Sequence, residues 1–122
     1  MRTYYHATDE RNVNSILTKG LIPALGPRSK KAAELRELIF LFRTKNDLCD
    51  GLYGWLSEEY IEYTDAEKLA ILEINIPNDS DIEVVADNYS VAKFEAYCDQ
   101  VIPPQYITHI QNVCFYANNF LL

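Results

Sequence analysis

Two histidines, three cysteines and a spread of carboxylates are the chemical resources of this 122-residue chain. His6 and His109 stand far apart, and Cys49, Cys98 and Cys114 contain no pair at zinc-ligand spacing, so a metal site is not expected. Neither GxxxxGK[ST] nor GxGxxG occurs, which removes a P-loop and a dinucleotide-binding Rossmann turn, and a GxSxG nucleophile elbow is also missing. A Cys-His hydrolase built from Cys98 with His6 or His109 has no local signature behind it. Three segments remain. They are Tyr5-His6-Ala7-Thr8, the run Ile39-Phe40-Leu41-Phe42 with Tyr53 downstream, and Phe94-Glu95-Ala96-Tyr97-Cys98 leading to Val101-Ile102-Pro103-Pro104-Gln105-Tyr106-Ile107. Each has an ordinary structural reading. His6 could be a satisfied polar residue at a strand end, and Glu95 an outward-facing strand residue with Glu83, Asp87 and Asp99 as rival carboxylates.

These residues need elements to hold them. Residues 3–8 are short and aromatic-rich, as in a buried strand, and Asp9-Glu10 supply acids suited to a helix N-terminus. Val13, Ile16 and Leu17 then fall at i, i+3, i+4, with Gly20 where a cap would sit, predicting a one-face helix of two to three turns. Residues 21–31 carry Pro23, Gly26 and Pro27 and read as a loop, with residues 32–37 able to form a helical turn. Residues 39–42 are a β-prone run too short for a helix. Thr44 and Asp47 resemble a capping box, and Leu48, Leu52, Trp55 and Leu56 share one face of the helix that follows. Residues 69–76, 82–86, 94–98 and 106–116 are strand candidates, broken by Pro77-Asn78-Asp79 and by Pro103-Pro104. Two helices in the N-terminal half among about six strands, with no room for crossover helices later, predict an α+β fold with largely antiparallel pairing. No repeat or linker-like stretch divides the chain, so residues 1–122 are expected to form one domain.

The order and spacing of the three segments resemble the ADP-ribosyltransferase fold, particularly its small bacterial and phage members and the DarT-like branch. Such relatives open with a YHxT strand running into an N-x-x-S-I-L-x-x-G-L helix, as residues 5–21 do here. They close with a Glu followed eight residues later by Pro, as residues 95–107 do. The resemblance spans about nine-tenths of the chain. It implies two small, mostly antiparallel sheets forming a cleft for NAD as co-substrate. It also implies roles in the His-Tyr-Glu pattern: His6 holding the adenosine-side ribose, the backbone of Ala7 gripping the nicotinamide amide beside Thr8, and an aromatic from Phe40, Phe42 or Tyr53 flanking the nicotinamide ring. Glu95 would be the catalytic carboxylate. Cleaving the ribose–nicotinamide bond builds positive charge on the ribose, and a fixed carboxylate stabilises that charge as it develops and can take the nucleophile's proton.

Two departures from the pattern matter. Phe40 and Phe42 stand where many relatives carry Tyr or Ser, keeping a ring and losing a hydroxyl. Lys93 stands two residues before Glu95, where arginine-modifying relatives carry a second acid, which argues against arginine as the modified residue. The resulting expectation is a mono-ADP-ribosyltransferase with a macromolecular acceptor. A DNA- or RNA-base transferase and a catalytically silent member, binding ADP-ribose or a partner such as a host defence complex, are the alternatives.

Composition constrains the setting. The chain is 48% hydrophobic and 24% charged, with nine Tyr, five Phe and one Trp, enough for a core without disulfides. Three widely spaced cysteines read as core thiols in a reducing compartment. With no long apolar run and strand-like sequence from the start, the expected location is the cytoplasm, away from membranes. The net charge of -7 hides two unlike halves. Residues 1–45 hold nine Lys or Arg against four acids, and residues 46–122 hold two against fourteen. The basic half contains Gly26-Pro27-Arg28-Ser29-Lys30, where Arg28 is the candidate pyrophosphate contact. The acidic half would repel a long polyanion, which favours a protein acceptor over nucleic acid.

Overall fold

The computed structural model describes residues 1–24, 37–54, 56–57, 61, 64–86 and 95–114, with the backbone alone at Ala86 and Glu95. The fold is α+β. Its strands are β1 (Arg2–Asp9), β2 (Ile39–Phe42), β3 (Leu69–Ile76), β4 (Val85–Ala86), β5 (Glu95–Cys98) and β6 (Ile107–Val113). Helix α1 (Val13–Lys19) follows a 3-10 turn at Glu10–Asn12, helix α2 (Lys45–Leu52) follows β2, and a second 3-10 turn at Pro104–Tyr106 leads into β6.

Among the described residues, all six strands join one antiparallel sheet in the order β4-β5-β2-β1-β3-β6, which corrects the expectation of two separate sheets. The sheet has a seam, however. β1 is in register with β3 at eight positions, from Arg2 opposite Ile76 to Asp9 opposite Leu69, but with β2 only at Tyr5 opposite Phe42. The seam separates a β4-β5-β2 half from a β1-β3-β6 half.

β3 is the central strand of the larger half, and both of its faces are covered. Leu72, Ile74 and Ile76 pack with Ile16, Leu21, Ile39, Leu41, Cys98 and Ile102 on one side, and Leu69 and Ile71 pack with Ala7, Phe42, Leu48 and Leu52 on the other. Burial on both faces is why this strand reads as a nearly continuous apolar run instead of a clean alternation.

The local signals explain the helix ends. Asp9 accepts a hydrogen bond from the Arg11 backbone N–H, and Thr44 Oγ1 accepts from the Asp47 N–H at 3.0 Å, each satisfying a donor that a helix start leaves open. On α1, Val13 and Ile16 are buried as expected but Leu17 is exposed, because only a narrow stripe of this short helix meets the sheet. On α2, Gly51 meets β2 at close range. The Phe42 ring lies 3.1 Å from where a Cβ would be, so the bare backbone lets helix and strand approach.

Two further expectations change. The strand foreseen at residues 82–86 shrinks to Val85–Ala86. Cys114 is exposed and Cys49 only half-buried, so of the three thiols Cys98 alone lies in the core. Trp55, placed on the α2 face from sequence, lies outside the described residues.

Candidate functional site

The three sequence segments meet on three adjacent strands. β1 carries Tyr5, His6, Ala7 and Thr8, β2 carries Phe40 and Phe42, and β5 begins at Glu95. Their register forms one transverse row: Glu95 opposite Phe42, Phe42 opposite Tyr5, Tyr5 opposite Glu73, and Glu73 opposite Thr108. At a strand spacing of about 4.8 Å, Glu95 and Tyr5 are about 10 Å apart along that row, backbone to backbone.

His6 sits at the seam. Its Nδ1 lies 2.7 Å from the Phe40 carbonyl oxygen, so the ring spans from β1 to β2 just beyond their single point of register. A carbonyl only accepts, which assigns the proton to Nδ1 and leaves Nε2 of the neutral ring as an acceptor. Burial pushes the His6 pKa below the ordinary 6.5, and the Phe40 carbonyl opposes that shift only in part. The ring is therefore neutral at physiological pH, and a ligand group meeting Nε2 must bring a donor, such as a hydroxyl.

The neighbours of His6 are held firmly. Ala7 is 6% exposed, and Thr8, 7% exposed, has its hydroxyl oxygen accepting from Asn12 Nδ2 at 3.3 Å, which ties the strand end to the start of α1. Among the aromatic candidates, Phe42 is 3% exposed and packs into the α2 core, Phe40 is half-buried, and Tyr53 at the end of α2 is 59% exposed. Phe40 and Tyr53 thus keep surface for a ligand, whereas Phe42 is a core residue. Arg28 lies outside the described residues.

The long spacing in the third segment proves to be architectural. Leu21 and Ile102 exchange backbone hydrogen bonds of 2.9 Å in each direction, so the end of the first segment is bridged to the middle of the third. Gly20 makes this possible. It has φ +89°, and a Cβ there would lie 2.3 Å from the Ile102 carbonyl oxygen. The stretch between Glu95 and Ile107 runs up β5, crosses to Leu21 and turns through Pro103-Pro104 into β6.

Sequence reasoning missed two residues beside Tyr5. Glu73 stands opposite it on β3, and Lys45 Nζ lies 6.0 Å from the centre of its ring. No spacing rule connects positions 5, 45 and 73. The one clue was the switch within residues 72–76, where Glu73 and Asn75 interrupt an apolar run. Among the described residues, no group of three or more His, Cys, Asp or Glu side chains is arranged to hold a metal ion, and no helix is long and apolar enough to cross a membrane. Comparison with known proteins finds no family model and no curated protein that matches this chain.

Proposed function

We propose that this chain is an NAD-dependent mono-ADP-ribosyltransferase that passes ADP-ribose to a macromolecular acceptor, a protein in preference to a nucleic acid, and releases nicotinamide. One observation carries the reading: three segments far apart in sequence occupy adjacent strands around a seam, with Tyr5, Phe42 and Glu95 in a single row. The register places the Glu95 position and the aromatics Phe40 and Phe42 on one face, and His6, on the opposite face of β1, reaches the same seam through the Phe40 carbonyl, so a ligand that meets all three would pass through the seam. The β1–β2 seam stands in this reading for the cleft expected between two sheets.

In this reading the neutral His6 accepts a hydroxyl of the adenosine-side ribose at Nε2, a demand its tautomer meets. Backbone groups near Ala7 and Thr8 hold the nicotinamide amide, Phe40 or Tyr53 flanks the ring, and Arg28 meets the pyrophosphate. Glu95 supplies the carboxylate for the charge that develops at the nicotinamide ribose. The acceptor's nucleophile bonds to C1′ as the C1′–nicotinamide bond breaks. That bond's electron pair leaves with nicotinamide, which departs neutral, and the nucleophile's proton passes to the carboxylate and then to water. Removing one such electrostatic contact costs about 3 kcal/mol of barrier, or about a hundredfold in rate.

The test is incubation of the protein with labelled NAD and cell lysate, comparing wild type with Glu95→Ala. The expected result is label in protease-sensitive material, reduced at least a hundredfold by the substitution. Label transfer that survives Glu95→Ala would remove Glu95 as the catalyst, nuclease-sensitive label would replace the protein acceptor with a nucleic acid, and NAD binding without turnover would make the chain a binding module.

A further inference from the structure

Next to the row that ends at Glu95, one part of the sheet face is polar and organised. Thr3 Oγ1 donates to Asn75 Oδ1 at 2.8 Å, and Asn75 Nδ2 donates to Glu73 Oε1 at 2.9 Å, so two side chains fix the carboxylate through one of its oxygens. Across the ladder from Glu73 stands Tyr5, half-buried and packed against the core that holds Phe42, Leu48 and Leu52. The two groups sense each other: burial first, then the Glu73 charge, push the Tyr5 phenol above its ordinary pKa of 10.0. The chain's own ammonium, on Lys45 at the start of α2, already lies at the outer limit of cation–π distance from the Tyr5 ring. An oriented carboxylate beside an aromatic face is a combination that attracts a cationic side chain and offers nothing to a phosphate.

We propose that Tyr5 and Glu73 form a subsite for a Lys or Arg side chain of the protein acceptor, occupied in the free chain by Lys45, which the incoming cation displaces. The inference rests on the transferase reading for its purpose and names the acceptor's chemistry. The captured residue is a neighbour of the modified one. Three strand spacings separate Glu73 from Glu95, about 14 Å, and an extended peptide covers that in about four residues. The acceptor therefore carries a basic residue about four positions from its modification site.

The direct test is binding of a fluorescent decapeptide containing one Arg, read by anisotropy without NAD, beside the same peptide with Lys or norleucine in that place. Binding of the Arg and Lys peptides is expected to weaken at least tenfold in Glu73→Gln and to tighten about threefold in Lys45→Gln. Asp79→Asn, an exposed carboxylate elsewhere, reports any general attraction of cations to the acidic half. Equal binding of the norleucine peptide, or an effect of Asp79→Asn matching that of Glu73→Gln, would overturn the subsite. The second measurement is the ratio of ADP-ribose transfer to the peptide over NAD cleavage by water, expected to fall at least tenfold in Glu73→Gln. A chain that binds the peptide through Glu73 yet never cleaves NAD would retain the subsite and lose the transferase reading. NAD cleavage with a ratio indifferent to Glu73 would do the reverse.

Discussion

His6 has two tasks on one ring. Nδ1–H joins β1 to β2 through the Phe40 carbonyl, and that same bond decides that Nε2 accepts. His6→Asn separates them, because the Asn amide N–H can still reach the Phe40 carbonyl while nothing replaces Nε2. NAD affinity is expected to fall about tenfold, the worth of one neutral hydrogen bond, with the thermal midpoint at pH 7.5 nearly unchanged. Titration calorimetry paired with thermal unfolding checks both halves, and undiminished affinity would end the ribose-binding role. At this scale the sequence was partly readable. The flanking Tyr5 and Thr8 marked His6, but its carbonyl partner lies 34 residues away, a distance no local pattern spans.

Elements were more legible than sites. The boundaries of β2 and β3 and the Thr44 cap follow directly from β-prone runs and capping chemistry, because the forces concerned act within a few residues. Gly20 shows where locality ends. Sequence marks it as a helix cap, which it is, but its deeper requirement comes from Ile102, whose carbonyl occupies the space a side chain would need. Gly20→Ala combines strained backbone with that clash and is expected to cost about 3 kcal/mol, lowering the unfolding midpoint in denaturant without changing its slope. A loss below about 0.5 kcal/mol would mean that the Leu21–Ile102 bridge yields easily. Thr8 and Asn12 make a smaller instance: their hydrogen bond fastens α1 to β1 just after the proposed site.

Across the whole molecule, the titrating groups define a window of stability. Arg11 lies 2.7 Å from an Asp65 carboxylate oxygen and is hydrogen-bonded to Asp9, holding both acids below their ordinary pKa of 3.8. Their contribution is present above that value and lost as pH falls through the lowered folded values. His6, also depressed, favours folding above 6.5 and begins to oppose it below, since the unfolded imidazole takes a proton that the folded one resists. Tyr5 and Cys98 are shifted upward from 10.0 and 9.0, so their contributions are lost as pH rises through those values. Maximal stability is therefore expected from about pH 7 to 9. The fall between pH 7.5 and 5 should be smaller in His6→Asn, and thermal midpoints measured across that range would show it; an identical slope in both proteins would mean that His6 titrates normally. The sequence alone determined the class of the fold, its helix caps, most of its strands and the segments worth testing, because propensity, capping and apolar periodicity are properties of neighbouring residues. Tertiary structure decided that the strands form one sheet with a seam, that Phe42 belongs to the core, that His6 presents an acceptor, and that Glu73 and Lys45 flank Tyr5. Each of these depends on strand order and register, which arise from burying both faces of β3 at once, a condition no short stretch of chain can express by itself.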